Sequence, residues 1–176
     1  IYTMAKDFGF GGIEIRGLGR DIFAVKAQPF LENQLEQAMK KLSSLHLEIP
    51  CLSSGCCLRF PEKEEENYQE ILQYIQLASK LGTPFVRILA DLEPQPKGDV
   101  DDDAVLASLE HLIPAAEENG VTLLLETNGV YADTNRLRGL LDRAASDAVA
   151  ALWDMHHPYQ SKTWELISNT STSRIP

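Results

Sequence analysis

Residues 121–128 read VTLLLETN. Leu123, Leu124 and Leu125 form an apolar run that stops abruptly at a carboxylate, Glu126, with Asn128 two positions on. A strand with one wet face alternates apolar and polar residues. A strand that is apolar at successive positions is covered on both faces, as in parallel sheets flanked by helices. Gly120 stands directly before the run and closes a helical stretch over 103–119, where glycine is the usual helix-ending residue.

The same unit recurs on both sides. Short β-rich runs are expected near 12–16, 47–52, 84–90, 121–127 and 149–154. Helical stretches alternate with them. In residues 30–46, Leu31, Leu35, Ala38, Leu42 and Leu45 share one face. Residues 61–81 open with Pro61 and a run of Glu, carry Ile71, Leu72, Ile75, Ala78 and Leu81 on a stripe, and meet Gly82. Asp101 to Asp103 supply caps for the helix over 103–119, and an Asp-Thr pair heads another over 133–144. Residues 1–8 read as the end of a helix stopped by Gly9. Such alternation implies parallel strands joined by right-handed helical crossovers.

Two parallel architectures compete, an open doubly wound sheet and a closed (β/α)₈ barrel. The polar residues favour the barrel. Four of the five runs carry chemistry toward the C-terminal edge: Glu14 and Arg16 on the first, Arg87 on the third, Glu126 and Asn128 on the fourth, Asp154 and His157 on the fifth. Barrel strand ends converge on one face, where barrel active sites lie. An open sheet with a nucleotide site places a glycine loop after its first strand. Here GFGG at 9–12 precedes a strand, and GLG at 17–19 lacks a third glycine and a following helix.

An ionised Glu126 at the end of a buried strand needs a partner. A divalent cation would serve, and so would Arg87 on the neighbouring strand. ALWDMHHP, residues 151–158, ends a second buried strand in Asp154, with His157 three residues on. A carboxylate and an imidazole at a strand mouth suit Zn, Mn, Co or Mg. Asp154 could instead cap the turn that follows it. Extended geometry turns His156 the other way, which favours His157.

Composition narrows the partners. The chain has 176 residues, 44% of them hydrophobic, enough for one domain with a sizeable core. Net charge is -10, from 16 basic and 26 acidic side chains, and the basic residues do not cluster. Nucleic acid is therefore disfavoured, and a small polar substrate or a metal cation fits better. No apolar run reaches the ~18 residues of a membrane span. Neither a basic-apolar leader nor a CxxC pair is visible. Cys51, Cys56 and Cys57 read as reduced thiols of a cytoplasmic protein.

The segments GGIEIRG, VTLLLETNGVYADT and ALWDMHHPY resemble the sugar phosphate isomerase/epimerase family, in the barrel superfamily that includes xylose isomerase and endonuclease IV. The likeness spans about residues 1–160. It implies a (β/α)₈ barrel in which Glu126 and Asp154 bind one divalent metal, with Glu126 also the catalytic base. His157 would contact substrate hydroxyls or a second metal, and Glu14 and Arg16 would line the substrate pocket. Arg87 and Asn128, at the same strand ends, join the substrate-binding candidates, with a phosphate or carboxylate as the group either Arg16 or Arg87 would hold. The implied chemistry is isomerisation or epimerisation of a small sugar or sugar phosphate through a cis-enediolate. The family completes its site with a His on the seventh strand and a Glu on the eighth, and nothing after Pro158 reads as either. Residues 161–176 read as an atypical tail, and the first strand also looks absent. The expectation is an incomplete barrel with an impaired site and little or no activity alone, either shortened by a frameshift-like event or paired with another chain that finishes the barrel. A second copy of the chain (a homo-oligomer) or a completing chain is the expected protein partner. Alternatives are a non-catalytic barrel fragment, an inosose-type dehydratase and, less favoured, an endonuclease IV-like nuclease.

Overall fold

A computed structural model of the chain describes residues 1–161. Its centre is a four-stranded, wholly parallel sheet in sequential order: β1 (Cys51–Cys57), β2 (Phe85–Leu89), β3 (Thr122–Glu126) and β4 (Val149–Leu152). Between the strands run α3 (Glu64–Leu81), α4 (Asp102–Asn119) and α5 (Thr134–Ala144). Two helices, α1 (Tyr2–Asp7) and α2 (Leu35–Ser44), precede the sheet, and α6 (His156–Ser161) follows it. Sequential strand order with one helix per crossover is barrel topology, because a doubly wound sheet reverses its order.

Alternation along the strands sorts the side chains. Leu52, Val86, Ile88, Leu123, Leu125 and Val149 face the helices and join Ile71, Tyr74, Ile75, Leu109 and Leu112 in the main core. The opposite face carries a smaller cluster of Cys51, Leu124 and Ala150, with Phe85 and Leu152 against it. Both faces of the strands are thus apolar at mid-length, which is why their sequences read as continuous apolar runs. All three cysteines are buried and unpaired, and burial pushes the Cys51 thiol up to about 12. No helix among the described residues is long and apolar enough to cross a membrane.

Several boundaries differ from the expectations, each for a local reason. Residues 12–16 do not form a ladder. They make two isolated parallel bridges, Gly12 with Glu48 and Ile15 with Leu52, while Ile15 is buried in the core. The run expected at 47–52 becomes β1 at 51–57, since the small residues SSGCC continue the extended chain beyond Leu52. The helix expected over 30–46 begins only at Leu35, because a 3₁₀ turn at Gln28–Phe30 and a tight turn closed by the Gln34 amide on the Leu31 carbonyl precede it. The β4 ladder stops at Leu152, two residues early. A helix follows β4 and starts at His156, and the tail expected over 161–176 lies almost wholly outside the described residues.

The helix ends follow the capping rules. Asp101 accepts from the Asp103 and Ala104 amides, and Asp133 from those of Asn135 and Arg136. Gly82 and Gly120 end α3 and α4 in the left-handed conformation. One acid joins α4 to the segment after β3. Asp102 accepts Arg136 Nε on both oxygens, at 3.0 and 3.1 Å, and the Tyr131 hydroxyl at 2.7 Å.

Burial alone would raise the Asp102 pKa, but the hydrogen bonds from Arg136 and Tyr131 outweigh it and the value falls below the ordinary 3.8. A depressed carboxyl releases its proton more readily in the folded chain. Its stabilisation is therefore complete above about 3.8 and fades as pH drops through the folded value. Urea melts across pH 2–6 should show Asp102→Asn with a flatter acid limb than the unmodified chain.

Candidate metal centre

The end of β3 bends into the site through one left-handed residue. Gly129 has φ +56, and a Cβ there would overlap the Asp91 carboxylate. The close approach has a purpose. Asp91, fully buried just after β2, accepts the Val130 amide at 3.0 Å, the Leu92 amide at 2.8 Å and Arg59 Nη1 at 2.8 Å. Asn128 returns the contact, donating its side-chain amide to the Asp91 carbonyl at 2.8 Å. The loops after β2 and β3 are thereby fastened together behind the strand mouths.

In front of that fastening lie the strand-end residues. Ser53, Arg87 and Glu126 have the same parity as Cys51, Phe85 and Leu124, so they continue the inner face toward the C-terminal edge. Arg87 and Glu126 form a shielded ion pair, each side chain 13% exposed, with Nε and Nη2 both on Oε2. Of the two kinds of partner open to Glu126, the neighbouring arginine is therefore present.

A cation remains compatible with it. One ligand atom each from Glu126, Asp154 and His157 lies within 4.8 Å of the others. The β3–β4 ladder pairs Glu126 with Leu152, which sets Asp154 one pleat beyond it. Thr127 locks that offset. Its hydroxyl accepts the Asp154 amide at 2.8 Å and donates to the Asp154 carbonyl at 3.1 Å, and its amide reaches the Leu152 carbonyl. Asp154 Oδ1 accepts the His156 amide at 2.7 Å and so starts α6, while Oδ2 faces His157 Nε2 at 3.6 Å. Asp154 thus caps a turn with one oxygen and keeps the other in the cluster. The helical turn, not extended geometry, brings His157 inward and leaves His156 exposed.

Two carboxylates and an imidazole converging within a few ångströms match the hard-to-borderline donor set of Mg, Mn, Co and Zn sites. The remaining candidates fall into two groups. Glu14, at the outer edge of the same face, accepts a hydrogen bond from the Ser53 hydroxyl. Arg16 is exposed two residues further on. Asn128, 5% exposed, has its amide committed to the Asp91 carbonyl behind the face. Neither Thr127 nor the Arg59–Asp91 pair was singled out by sequence. Thr127 sits in the quoted ETN and could have been found as a β-branched hydroxyl between two site residues. Arg59 pairs with Asp91 across 32 positions, and no local pattern signals that.

Removing the hydroxyl should loosen the site without emptying the core. Thr127→Val keeps the shape, strands the Asp154 amide and should cost about 1–2 kcal/mol in urea unfolding. Asp91→Ala leaves Arg59 without its buried partner and should cost about 3–5 kcal/mol, and Gly129→Ala about 3 kcal/mol from backbone strain and the Asp91 clash.

Comparison with known proteins agrees with this architecture. Over 82 residues the chain is 37% identical to a C-glycoside deglycosidase alpha subunit of Microbacterium trichothecenolyticum, covering 44% of this chain and 19% of that protein. A solved D-tagatose 3-epimerase-like protein superposes with a TM-score of 0.74 at 14% identity, over 98% of this chain and 68% of its own. The 3-keto-D-glucoside 4-epimerase YcjR of E. coli superposes at 0.71 with 17% identity, over 90% and 63%. Two further structures of this fold, at 17% and 16% identity, contain magnesium and zinc respectively. The chain spans about a fifth of the curated relative and under two thirds of YcjR. The family model for xylose isomerase-like TIM barrels matches residues 3–175, and the chain belongs to that family.

Proposed function

We propose that the chain carries the metal-binding half of a divalent-metal-dependent isomerase or epimerase acting on a small sugar or related hydroxyketone. The observation that carries this is the convergence of Glu126, Asp154 and His157 at the mouths of adjacent parallel strands. The epimerase names of two solved neighbours and the sugar-linked name of the curated relative support the substrate class.

When bound, a divalent cation supplies Lewis-acid polarisation of a carbonyl and the oxygen beside it. The protein's own groups do the rest. Glu126 and Asp154 would hold the cation, each through the oxygen its internal partner leaves over. With Arg87 on Oε2, the oxygen that Glu126 would offer to the cation is Oε1. His157, 15% exposed beside Asp154, would meet a substrate hydroxyl. The Ser53–Glu14 pair offers a second hydroxyl-binding point at the far side of the face. Phe85, Leu124 and Leu152 floor the space between, against which the C–H surface of a sugar ring or chain packs. The proposal extends to Mn, Mg, Co or Zn as the cation, and to a second copy or another chain as the source of further site residues.

Calorimetric titration with Mn²⁺ tests it. One ion should bind per chain, and Glu126→Gln or Asp154→Asn should each weaken binding at least ~10-fold, about 1.4 kcal/mol. Equal binding by both variants would contradict the assignment. Hydrogen exchange into ketoses in D₂O, measured with Mn²⁺ present, then reports whether the protons next to a carbonyl are labilised.

A further inference from the structure

Arg87 sits mid-strand on β2, on the sheet face that bears Glu126. A half-buried arginine beside a sugar site is an obvious anchor for a phosphate or carboxylate. Three of its five N–H donors, however, are already committed, and every one of its three nitrogens is engaged. Nε and Nη2 both reach Glu126 Oε2, and Nη1 donates to the Ser54 carbonyl at 3.0 Å.

The Ser54 acceptor exists because of a local irregularity. The β1–β2 register slips between Ser53 and Cys57, and within the slip the Ser54 carbonyl turns to the guanidinium. The Ser54 hydroxyl donates to the Arg87 carbonyl at 3.0 Å, so one fully buried residue ties down both the side chain and the main chain of Arg87. A planar fork held on both sides is not free to swing toward a ligand.

The form of the ion pair matters as well. An arginine–carboxylate fork ordinarily spreads its two N–H groups over both oxygens. Here both fall on Oε2 and use its lone pairs, which leaves Oε1 as the open acceptor. Asp154 repeats the pattern with Oδ1 on the His156 amide and Oδ2 toward His157. Each carboxylate of the cluster therefore presents one oxygen.

We propose that Arg87 is a positioning residue that confines Glu126 to one-oxygen ligation of a divalent cation, and that it does not bind a substrate anion. This rests on the metal reading above and adds to it how the ligand is held. With Arg87 removed, Glu126 is free to chelate through both oxygens.

Infrared difference spectra of Mg²⁺-loaded against metal-free chain read this directly, with Glu126→Gln to assign the Glu126 bands. One-oxygen ligation separates the antisymmetric and symmetric carboxylate stretches widely, and two-oxygen chelation brings them together. The unmodified chain should show the wide separation. Arg87→Met should narrow it, and added guanidinium should restore it. A narrow separation in the unmodified chain, or one that Arg87→Met leaves unchanged, overturns the proposal. So does a tenfold loss of inorganic phosphate affinity in Arg87→Met. Where Arg87→Met does not melt cooperatively, Arg87→Lys keeps the charge without the fork and should narrow the bands in the same way. A flat difference spectrum from the unmodified chain sinks the metal reading together with this one. Mg²⁺ uptake with an unmoved Glu126 band takes Glu126 out of the ligand set and sinks both, whereas a Glu126 band that moves on Mg²⁺ uptake but is unchanged by Arg87→Met sinks this one alone.

Discussion

The ion pair between Arg87 and Glu126 is the constraint around which the inner face is arranged. A charged carboxylate 13% exposed at the end of an apolar strand is tolerable only with strong partners. Arg87 supplies one, and the parallel register supplies the place for another. Neighbouring parallel strands bring their C-terminal ends to one edge, so an acid ending β3 and an acid following β4 meet without any long-range folding of loops. Under the proposed reading, the negative charge left after Arg87 is satisfied would draw a cation to this edge.

That edge is built from behind. Asp91 holds Arg59 and the backbone after β3, and Asn128 closes the ring from the other side. Gly129 alone permits the backbone to come so near Asp91. Thr127 then ties the main chain of Asp154 to that of β3. Buried polar groups fully paired in this way fix a geometry more sharply than apolar packing does, because every displaced partner is left unsatisfied in a low-dielectric setting. The two carboxylates inherit their spacing from this network, not from contact with each other.

Much of this was legible in sequence. The LLLE and ALWD segments name both the strands and their terminal acids, because a continuous apolar run that stops at a carboxylate marks a covered parallel strand reaching its polar mouth. The helices α3, α4 and α5 were legible from period, caps and glycines. The sequence pattern was weaker where tertiary packing decides. Residues 12–16 alternate like a strand, yet only Gly12 and Ile15 find bridge partners. The small residues of SSGCC carry little propensity, and β1 extends through them because Ser54 and Cys56 are buried against their neighbours. The partners of Asp91 and Arg87 could not be separated, since Arg16, Arg59 and Arg87 look alike in one dimension. Only the structure sorts them, giving Arg59 to Asp91 and Arg87 to Glu126.

The central claim is that Glu126 and Asp154 grip one divalent ion between them, with His157 beside it. Anomalous diffraction from crystals of the chain grown with Mn²⁺ is the most direct measurement. The account predicts a single strong peak about 2.0–2.3 Å from one oxygen of Glu126 and one oxygen of Asp154, on the side of the cluster that His157 faces. A peak elsewhere, such as on the acidic run at Asp101 to Asp103, with these three side chains unmoved and metal-free, would contradict it.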